Sequence, residues 1–393
     1  MAKGLKIGFI GVGQCGGNVV NEFSKLGYTS IAINTAQSDL NKLLNIPKEN
    51  RLLINLGIQG AGKNPEIGEN AFIQHNEEVL QLINQAFSDV DIVYVCAGLG
   101  GGTGSGISPI LTAVLIEMEY NVGMIVTLPT KNESPKVQLV ALDAFQKITE
   151  IEGIKSIFVV DNEKSVNTSI GVKMQYNITN VNIAKSLDDI NEITTKTSDI
   201  AFDARDFITL LEHSGISMLS TIEIEDIKEF GEVAAQNVTN SIKNGLFADT
   251  ELINANGLAI IFETKSGGSA FINQETIQKI QKSLGNPFDM FYAIYEDEDK
   301  KQDRSATLKL LITGLPLPEK RLEEMTEDFE QRQQSLQEKQ EKARNLSFSS
   351  KSSDYLNSFT KNPVKTTNAQ SKATSSMLEQ IAKRKEMMKN NKK

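Results

Sequence analysis

The residues 96–106 have the composition of a phosphate-binding loop, with six glycines, one threonine and one serine. They follow an apolar stretch at 92–95 and precede a helix-like stretch at 107–119. This order of strand, loop and helix directs backbone N–H groups and a helix N-terminus at an anion. Glycine permits positive φ and close approach to oxygen atoms, and Thr103 and Ser105 add hydroxyl donors. A flexible linker is the plainer alternative, but linkers seldom lie so close to a buried strand and an apolar helix.

A second glycine run, residues 11–18, directly follows the first strand-like stretch. Its spacing satisfies the dinucleotide fingerprint, so an NAD-dependent dehydrogenase is one alternative. However, the next strand ends in Asn34 and Thr35, where such an enzyme usually carries Asp or Glu for the ribose. The larger run at 96–106 also has no dinucleotide explanation. Two glycine loops together favour a nucleoside triphosphate, which needs more anion contacts than one loop supplies.

A third glycine-containing segment, residues 60–65, superficially resembles a Walker sequence. Asn64 stands where Ser or Thr would hold magnesium, and the GxxxxGK frame is absent. The P-loop interpretation therefore fails.

The first 160 residues alternate strand-like and helix-like patterns, which predicts right-handed βαβ units and a mainly parallel sheet. Ligands of such sheets bind beyond the carboxyl ends of the strands. The predicted strands are 5–10, 30–33, 52–54, 92–95, 122–127 and 156–160. The fold class is therefore α/β.

The remaining chain divides into further segments. Residues 178–198 have the pattern of a long connecting helix, and 207–315 that of a smaller α+β domain with strands near 216–222, 257–262, 290–295 and 307–312 and helices near 227–243 and 274–284. Residues 319–344 are dense in Glu, Gln, Lys and Arg, which predicts a mostly solvated helix. We expect a nucleotide-binding domain at 1–177, a connecting helix at 178–202, a second domain at 203–315, a charged helix at 316–345, a disordered linker at 346–375 and a basic terminal segment at 376–393.

Composition excludes several classes of protein. The only cysteines, Cys15 and Cys96, indicate neither a disulfide framework nor a thiol metal site. His75 and His213 lie in no ligand-spaced cluster, so we expect no structural metal. No apolar stretch approaches the length of a membrane span and no signal-peptide pattern is present, so we expect a cytoplasmic protein with no membrane partner.

Charge is distributed unevenly along the chain. Residues 346–393 carry ten Lys or Arg against three Asp or Glu, a net charge of +7, while the whole chain has −9. This split indicates an acidic body with a basic arm. The last stretch, 376–393, combines apolar residues at helical spacing with basic ones, as a docking peptide does.

These motifs together resemble the tubulin/FtsZ superfamily of polymerising GTPases, over about residues 5–315. The run 98–106 resembles the signature of that family, 13–16 its first nucleotide loop, 34–40 its second, and 60–65 the loop that senses the γ-phosphate. The resemblance implies GTP or GDP and Mg²⁺ as cofactors, with Asn182 against the guanine. The residues that it implies in GTP binding are Gly13, Gln14, Cys15, Asn34, Gly60, Ala61, Gly62, Lys63, Asn64, Gly98, Gly100, Gly101, Gly102, Thr103, Gly104, Ser105, Gly106, Pro129, Glu133 and Asn182.

An acidic pair, Asp203 and Asp206, resembles the catalytic loop of the same family. There, two acidic residues enter the nucleotide site of the next subunit, so hydrolysis waits for polymerisation. In that role the pair would orient the attacking water, with magnesium spreading the developing charge. Ala201 stands where the family often has Asn. The alternative is an Asp that caps a helix beginning near Phe207, which would leave a non-hydrolysing scaffold.

The C-terminal organisation is similar to that of the plasmid- and phage-borne partition members of the superfamily. The resemblance implies a protein that polymerises head to tail with itself and segregates DNA through a DNA-bound adaptor that 376–393 contacts. A direct contact with DNA phosphates through the six Lys or Arg from Lys383 onward is the second reading of this tail, and a solvated end is the third. An FtsZ-like cell-division GTPase is the alternative within the family.

Overall fold

A computed structural model describes residues 4–265, 267–297 and 304–345 of the 393-residue chain. The predicted α/β class is confirmed. The ten strands are β1 (Ile7–Val12), β2 (Thr29–Asn34), β3 (Arg51–Leu53), β4 (Ile92–Gly98), β5 (Val122–Leu128), β6 (Ile154–Asp161), β7 (Ile216–Ile224), β8 (Gly257–Lys265), β9 (Asp289–Asp297) and β10 (Ala306–Leu315).

Eleven α-helices connect and cover these strands in the described part of the chain. They are α1 (Gly13–Lys25), α2 (Gln37–Leu40), α3 (Pro65–Gln74), α4 (Asn76–Ala86), α5 (Gly102–Glu117), α6 (Pro135–Thr149), α7 (Val172–Ile193), α8 (Ala204–Leu211), α9 (Ile227–Lys243), α10 (Gln274–Ser283) and α11 (Glu319–Asn345). None of them combines the length and apolar character that a membrane crossing requires.

The sheet has the order β3-β2-β1-β4-β5-β6-β7-β10-β8-β9. From β3 to β6 every pair is parallel. β1 and β5 are buried along their whole length, because helices cover parallel strands on both faces. Because the strands are parallel, their carboxyl ends and the loops that follow all lie on the same side of the sheet.

The second part of the sheet is mixed. β10 is antiparallel to β7 and to β8, while β9 is parallel to β8. β6 joins the two parts: it pairs in parallel with β7 at Ile157–Ile216 and Phe158–Ser217, and Val160 forms an antiparallel bridge with Phe247 after α9. The region predicted as a smaller α+β domain thus continues the same sheet through β6.

The connecting helix α7 runs beside the first part of the sheet, between the side of the carboxyl ends of its strands and the side of their amino ends. It begins at Val172 and ends at Ile193, so it starts and ends earlier than the predicted 178–198. Near its end, Asn191 accepts the N–H of Leu5 at 2.8 Å and donates to the carbonyl of Leu5 at 3.0 Å. Leu5 precedes β1, so the C-terminal end of α7 lies at the amino ends of the parallel strands.

Both long glycine runs are less loop-like than the sequence indicates. α1 begins at Gly13 and α5 at Gly102, so six of the eight residues of the run 11–18 and five of the eleven of 96–106 form the first turns of a helix. The predicted linker 346–375 and basic segment 376–393 lie outside the described residues.

Candidate functional site

A pocket of about 500 Å³ lies at the carboxyl ends of β1, β2, β4, β5 and β6. We call it the glycine-loop pocket. The predicted binding residues that line it are Gly13, Gln14, Cys15, Asn34, Gly60, Ala61, Gly62, Lys63, Gly98, Gly100, Gly101, Gly102, Thr103, Gly104, Pro129 and Glu133. Loops from five separate stretches of the chain thus meet in one cavity, as expected at the carboxyl edge of a parallel sheet.

The loop between β4 and α5 presents backbone donors to this pocket. Gly100 has φ +106°, a conformation that an L side chain rarely adopts. Its N–H donates to the hydroxyl of Ser105 at 2.8 Å, which fixes the turn. Gly101, at the N-cap of α5, offers no side-chain cap, so the first N–H groups of α5 remain available to an anion.

The N-terminus of α1 meets the same pocket. α1 also lacks a side-chain cap, and its first residue, Gly13, has φ +72°. A Cβ on Gly13 would lie 3.1 Å from the backbone nitrogen of Gly104. The starts of α1 and α5 are therefore adjacent, and two positive dipole ends converge on one site. This arrangement suits a ligand with several phosphates.

Hydroxyl and amide groups add to the backbone donors. The hydroxyls of Thr35 and Thr103 lie 2.7 Å apart, which joins the β2 loop to the start of α5. Asn34 accepts the N–H of Ala36 at 3.2 Å, while its Nδ2 is buried and has no partner. Because an unsatisfied buried amide is costly, this donor is suited to a ligand in the pocket.

The third glycine segment closes the pocket beside β2. Gly60 donates its N–H to the carbonyl of Thr35 at 2.9 Å, and Lys63 has φ +59°. Asn64 does not line the pocket. Its side chain accepts the N–H of Glu66 at 3.1 Å as the N-cap of α3, so it ends the loop.

The thiol of Cys15 lies against the pocket wall, with Sγ 3.3 Å from Oγ1 of Thr127. Burial raises the pKa of Cys15 above its ordinary value, and the contact with Thr127 opposes this only in part. The thiol therefore stays protonated near neutral pH and acts as a packing and polar contact rather than as a nucleophile.

One face of α7 supplies an aromatic ring and an amide. Tyr176 and Asn180 line the pocket, and they lie four residues apart, on one face of the helix. The predicted Asn182 does not line it and is exposed. Two residues along a helix correspond to a rotation of about 200°, which turns Asn182 to the opposite side.

Ser105 and Gly106, also predicted as binding residues, do not line the pocket. Ser105 is 3% exposed and accepts a loop N–H instead of offering its hydroxyl to a ligand. A Cβ on Gly106 would lie 2.1 Å from the carbonyl of Pro65, so this glycine allows α3 to approach α5.

Several pocket residues were absent from the predicted binding set. They are Val12, Asn18, Thr35, Ala36, Asp39, Leu99, Thr127, Val137, Asn162, Tyr176 and Asn180. The position of Asn162 directly after β6 was available as a signal, because residues that follow parallel strands meet at the carboxyl edge. Asn18 lies in the glycine run 11–18, and Thr35, Ala36, Asp39 and Leu99 lie in the runs 34–40 and 98–106 that resemble nucleotide loops. For Tyr176, which lies within a helix, the sequence holds no comparable signal.

The acidic pair lies away from the pocket. Asp203 is the N-cap of α8 and forms a reciprocal capping box with Asp206. The capping alternative is thus present in the structure, with the helix starting at Ala204 rather than near Phe207. The capping box engages one oxygen of each carboxylate, and both residues are at least partly solvent-accessible.

The separation of the pair from the pocket follows from α7. Asn180 lies at the pocket, and the thirteen residues from there to Ile193 advance about 20 Å along the helix axis. After α7 the chain forms a bridge from Ile200 to Ile294 of β9, and Asp203 follows. The pocket and the acidic pair of one chain therefore lie towards opposite ends of α7.

No group of three or more His, Cys, Asp or Glu side chains that could hold a metal ion occurs in the described part of the chain. The carboxylates at the pocket are Asp39 and Glu133. Mg²⁺ is commonly held by one or two carboxylates together with substrate phosphates. The side chains present fit that mode, with Asp39 or Glu133 as protein ligands.

The chain is similar to known proteins over most of its length. The family model described as "Tubulin/FtsZ family, GTPase domain" matches residues 6–169. The tubulin-like protein TubZ of Bacillus cereus is 28% identical over 372 residues, covering 85% of this chain and 86% of TubZ. Cell division protein FtsZ 1 of Thermococcus kodakarensis is 26% identical over 332 residues, covering 82% and 84%. GDP-form protofilaments of TubZ from Bacillus thuringiensis serovar israelensis match with a TM-score of 0.74 and 21% identity, covering 88% and 95%.

Proposed function

Because residues 6–169 of this chain belong to the GTPase-domain family of tubulin and FtsZ, we propose that the protein is a cytoskeletal GTPase that binds GTP in the glycine-loop pocket. The paired helix N-termini of α1 and α5 suit the phosphates, and Tyr176 with Asn180 suits the base. The dehydrogenase alternative has no support from the family match. The residue roles at the pocket remain our proposal.

The protein polymerises head to tail, and hydrolysis takes place between subunits. The observation that carries this proposal is the position of Asp203 and Asp206 towards the end of α7 remote from the pocket. One chain cannot bring its own pair to its own pocket, whereas a second chain stacked along α7 can. A heterologous contact that does not close produces an open filament. TubZ of Bacillus thuringiensis serovar israelensis, which matches over 88% of this chain, has been solved as a protofilament, which supports this assembly.

In the assembled site, the carboxylates of the incoming pair orient the attacking water near the γ-phosphate. The oxygen of each carboxylate that the capping box leaves free is the one available for this. Asp39 or Glu133 would hold Mg²⁺ together with the phosphates, and the ion would supply neutralisation of the charge on the transferring group.

Light scattering and phosphate release test this proposal on the purified chain with GTP and Mg²⁺. We expect scattering that requires GTP, appears above a threshold protein concentration and is followed by phosphate release. GDP with Mg²⁺ is the matched control and supports neither release nor lasting polymer. A chain that binds GTP but neither scatters nor releases phosphate would contradict the proposal.

For the biological role, we propose that the filament segregates plasmid or phage DNA through a TubR-like, DNA-bound adaptor that residues 376–393 recruit. The support is the likeness to TubZ over 85% of the chain and the basic, helically spaced composition of this segment. In this proposal the linker 346–375 separates the filament body from the docking segment. The filament body consists of the nucleotide-binding domain 1–177, the connecting helix 178–202, the second domain 203–315 and the charged helix 316–345.

Deletion of residues 376–393 tests the tail. We expect assembly with GTP to persist while capture of the adaptor–DNA complex is lost. A variant with the six Lys and Arg from Lys383 onward changed to Gln separates charge from apolar contact, because loss of DNA contact alone would follow salt concentration. Unchanged capture by the deletion variant would contradict the role of the tail.

The second candidate is an FtsZ-like cell-division GTPase, which the 26% identity to FtsZ 1 over 82% of this chain favours. Both candidates share the chemistry and differ in the partner of the tail. Co-sedimentation of filaments with plasmid–adaptor complexes supports the first, and localisation of the full chain to the division site supports the second.

A further inference from the structure

Two arginines of α11 hold the backbone of a loop at the pocket. We call residues 129–133, which follow β5, the rim loop. Arg321 donates from Nη2 to the carbonyl of Pro129 at 2.7 Å. Arg332 donates from Nη1 to the carbonyl of Glu133 at 2.9 Å and from Nη2 to that of Lys131. α11 therefore binds three alternate carbonyls of one short loop.

The spacing of the arginines explains how one helix does this. Arg321 and Arg332 are eleven residues apart, which is close to three helical turns, so both point from the same face. Met325, on that face between them, is 1% exposed and belongs to the core. The charged composition of α11 predicted a solvated helix, whereas its first half is packed against the body.

The rim loop carries part of the pocket. Pro129 and Glu133 line it, while Lys131 is held from both sides. Its N–H donates to Glu163 at 2.7 Å, and its Nζ lies 3.0 Å from a carboxylate oxygen of Glu324 on α11. The position of these pocket residues thus depends on whether α11 stays docked.

Arg321 also joins α11 to the end of β6. It is 5% exposed, and its Nε lies 2.9 Å from Oδ2 of Asp161. Asp161 ends β6 and directly precedes Asn162, which lines the pocket. Removal of one partner would leave a buried charge unpaired, which is strongly destabilising. Arg321 therefore anchors the start of α11 to the end of β6.

Up to residue 339, where the structure describes side chains, Arg332 is the last attachment of α11 to the rim loop. Its Nε lies 3.0 Å from Asp328, and its side chain is 35% exposed. Residues 333–339 are all exposed, so over this stretch the helix stands clear of the body. A partner that binds α11 after Arg332, or the segment that follows α11, would therefore disturb the contacts of Arg332 before those of Arg321.

We infer that Arg332 is a positioning residue that couples docking of α11 to nucleotide release from the glycine-loop pocket. With Arg332 in place, the rim loop holds Pro129 and Glu133 against the nucleotide. With Arg332 released, the loop loosens and the nucleotide leaves faster. Coupling is reciprocal, so bound nucleotide also favours the docked helix. This inference rests on the proposed guanine-nucleotide site.

Release of fluorescently labelled GDP from the full chain, chased with unlabelled GDP, tests the coupling. We expect Arg332→Ala to release it about tenfold faster, from the loss of two hydrogen bonds to loop carbonyls. Arg332→Lys, which keeps the charge but not the forked geometry, should fall between. Arg304→Ala is the matched control, because this arginine pairs with Asp226 at 3.3 Å and contacts no pocket loop. It should release at the wild-type rate.

Two further readouts separate coupling from general loosening. The thermal midpoint of Arg332→Ala should stay close to wild type, because Arg321 and Met325 still hold α11. Nucleotide should slow backbone hydrogen exchange over 326–332 in the wild-type chain and not in Arg332→Ala. Wild-type release by Arg332→Ala would overturn the inference and leave the proposed function standing, whereas a wild-type chain that binds no guanine nucleotide would overturn both.

Discussion

Asp203 and Asp206 cap each other at the start of α8. Oδ1 of Asp203 accepts the N–H of Asp206 at 2.9 Å, and Oδ2 of Asp206 accepts the N–H of Asp203 at 3.1 Å. A helix cap and a catalytic pair are usually treated as rival explanations. Here the cap fixes the orientation of both carboxylates and leaves one oxygen of each outside it, so the cap is compatible with the catalytic role that we propose.

The substitution Asp206→Asn separates the capping role of Asp206 from its proposed catalytic role. Asp206→Asn retains an oxygen that accepts the N–H of Asp203, so we expect normal folding. It removes the negative charge, so phosphate release should slow by about 10²-fold or more, and filaments should persist. Asp203→Ala, which loses the cap itself, should cost about 1 kcal/mol of unfolding free energy. Phosphate release and thermal melting are the measurements, and turnover at the wild-type rate in Asp206→Asn would remove the catalytic role.

The glycines of the run 98–106 fall into two groups that substitution distinguishes. A Cβ on Gly104 would lie 2.6 Å from the carbonyl oxygen of Gly98, whereas one on Gly101 would meet nothing within 4 Å. We expect Gly104→Ala to cost about 1–3 kcal/mol, because backbone must shift. Gly101→Ala, at φ −87°, should change stability by less than about 0.5 kcal/mol. Equal destabilisation of the two variants in urea unfolding would contradict this division.

The parallel sheet was predictable because most of its strands are apolar runs. The predicted bounds of these strands differ from the observed ones by a few residues at either end. The starts of α1 and α5 were not, because glycine disfavours helix locally and tertiary packing overrides that preference. A Cβ on Gly16 would lie 2.0 Å from the carbonyl oxygen of Cys96. Glycine is thus required for α1 to approach β4, a demand that no local pattern reveals.

The pocket was predictable to the extent that its residues are loop glycines and threonines. The contribution of α7 was not, because a residue's side of a helix depends on packing, and Asn180 and Asn182 are equivalent in composition. The docking of α11 was also missed. Its arginines appear solvated in the sequence, but Arg321 is buried against Asp161, a partner 160 residues away.

A charged cluster joins the segment that follows α7 to the second part of the sheet and predicts a pH dependence. Burial alone would raise the pKa of Glu263, but the ammonium groups of Lys196 and Lys309 lower it below its ordinary value of 4.5. A lowered pKa in the folded state means that Glu263 contributes stability above pH 4.5, and that this contribution is lost as pH falls through the folded-state pKa. Lys309, 9% exposed, lies 2.5 Å from Glu263.

Glu263→Gln should therefore be less stable than wild type near neutral pH, and the difference should shrink as the solution becomes acidic. Glu275→Gln is the matched control, because Glu275 pairs with Lys279 on an exposed helix face at 2.9 Å, where a surface pair contributes little. Urea unfolding at a series of pH values measures both. A stability difference for Glu263→Gln that does not change with pH would contradict the assignment.

The choice between Asn180 and Asn182 gives the sharpest test of the pocket. Asn180 is 8% exposed and lines the cavity, one turn from Tyr176, whereas Asn182 is exposed on another face of α7. We expect Asn180→Ala to weaken GDP binding about tenfold, because a hydrogen bond to the base is lost in a desolvated site. Asn182→Ala should bind as wild type does. Titration calorimetry with GDP and with inosine diphosphate, which lacks the 2-amino group, identifies the contact. If Asn180 reads that group, its substitution weakens GDP more than inosine diphosphate, and an equal loss for both places the contact elsewhere on the nucleotide.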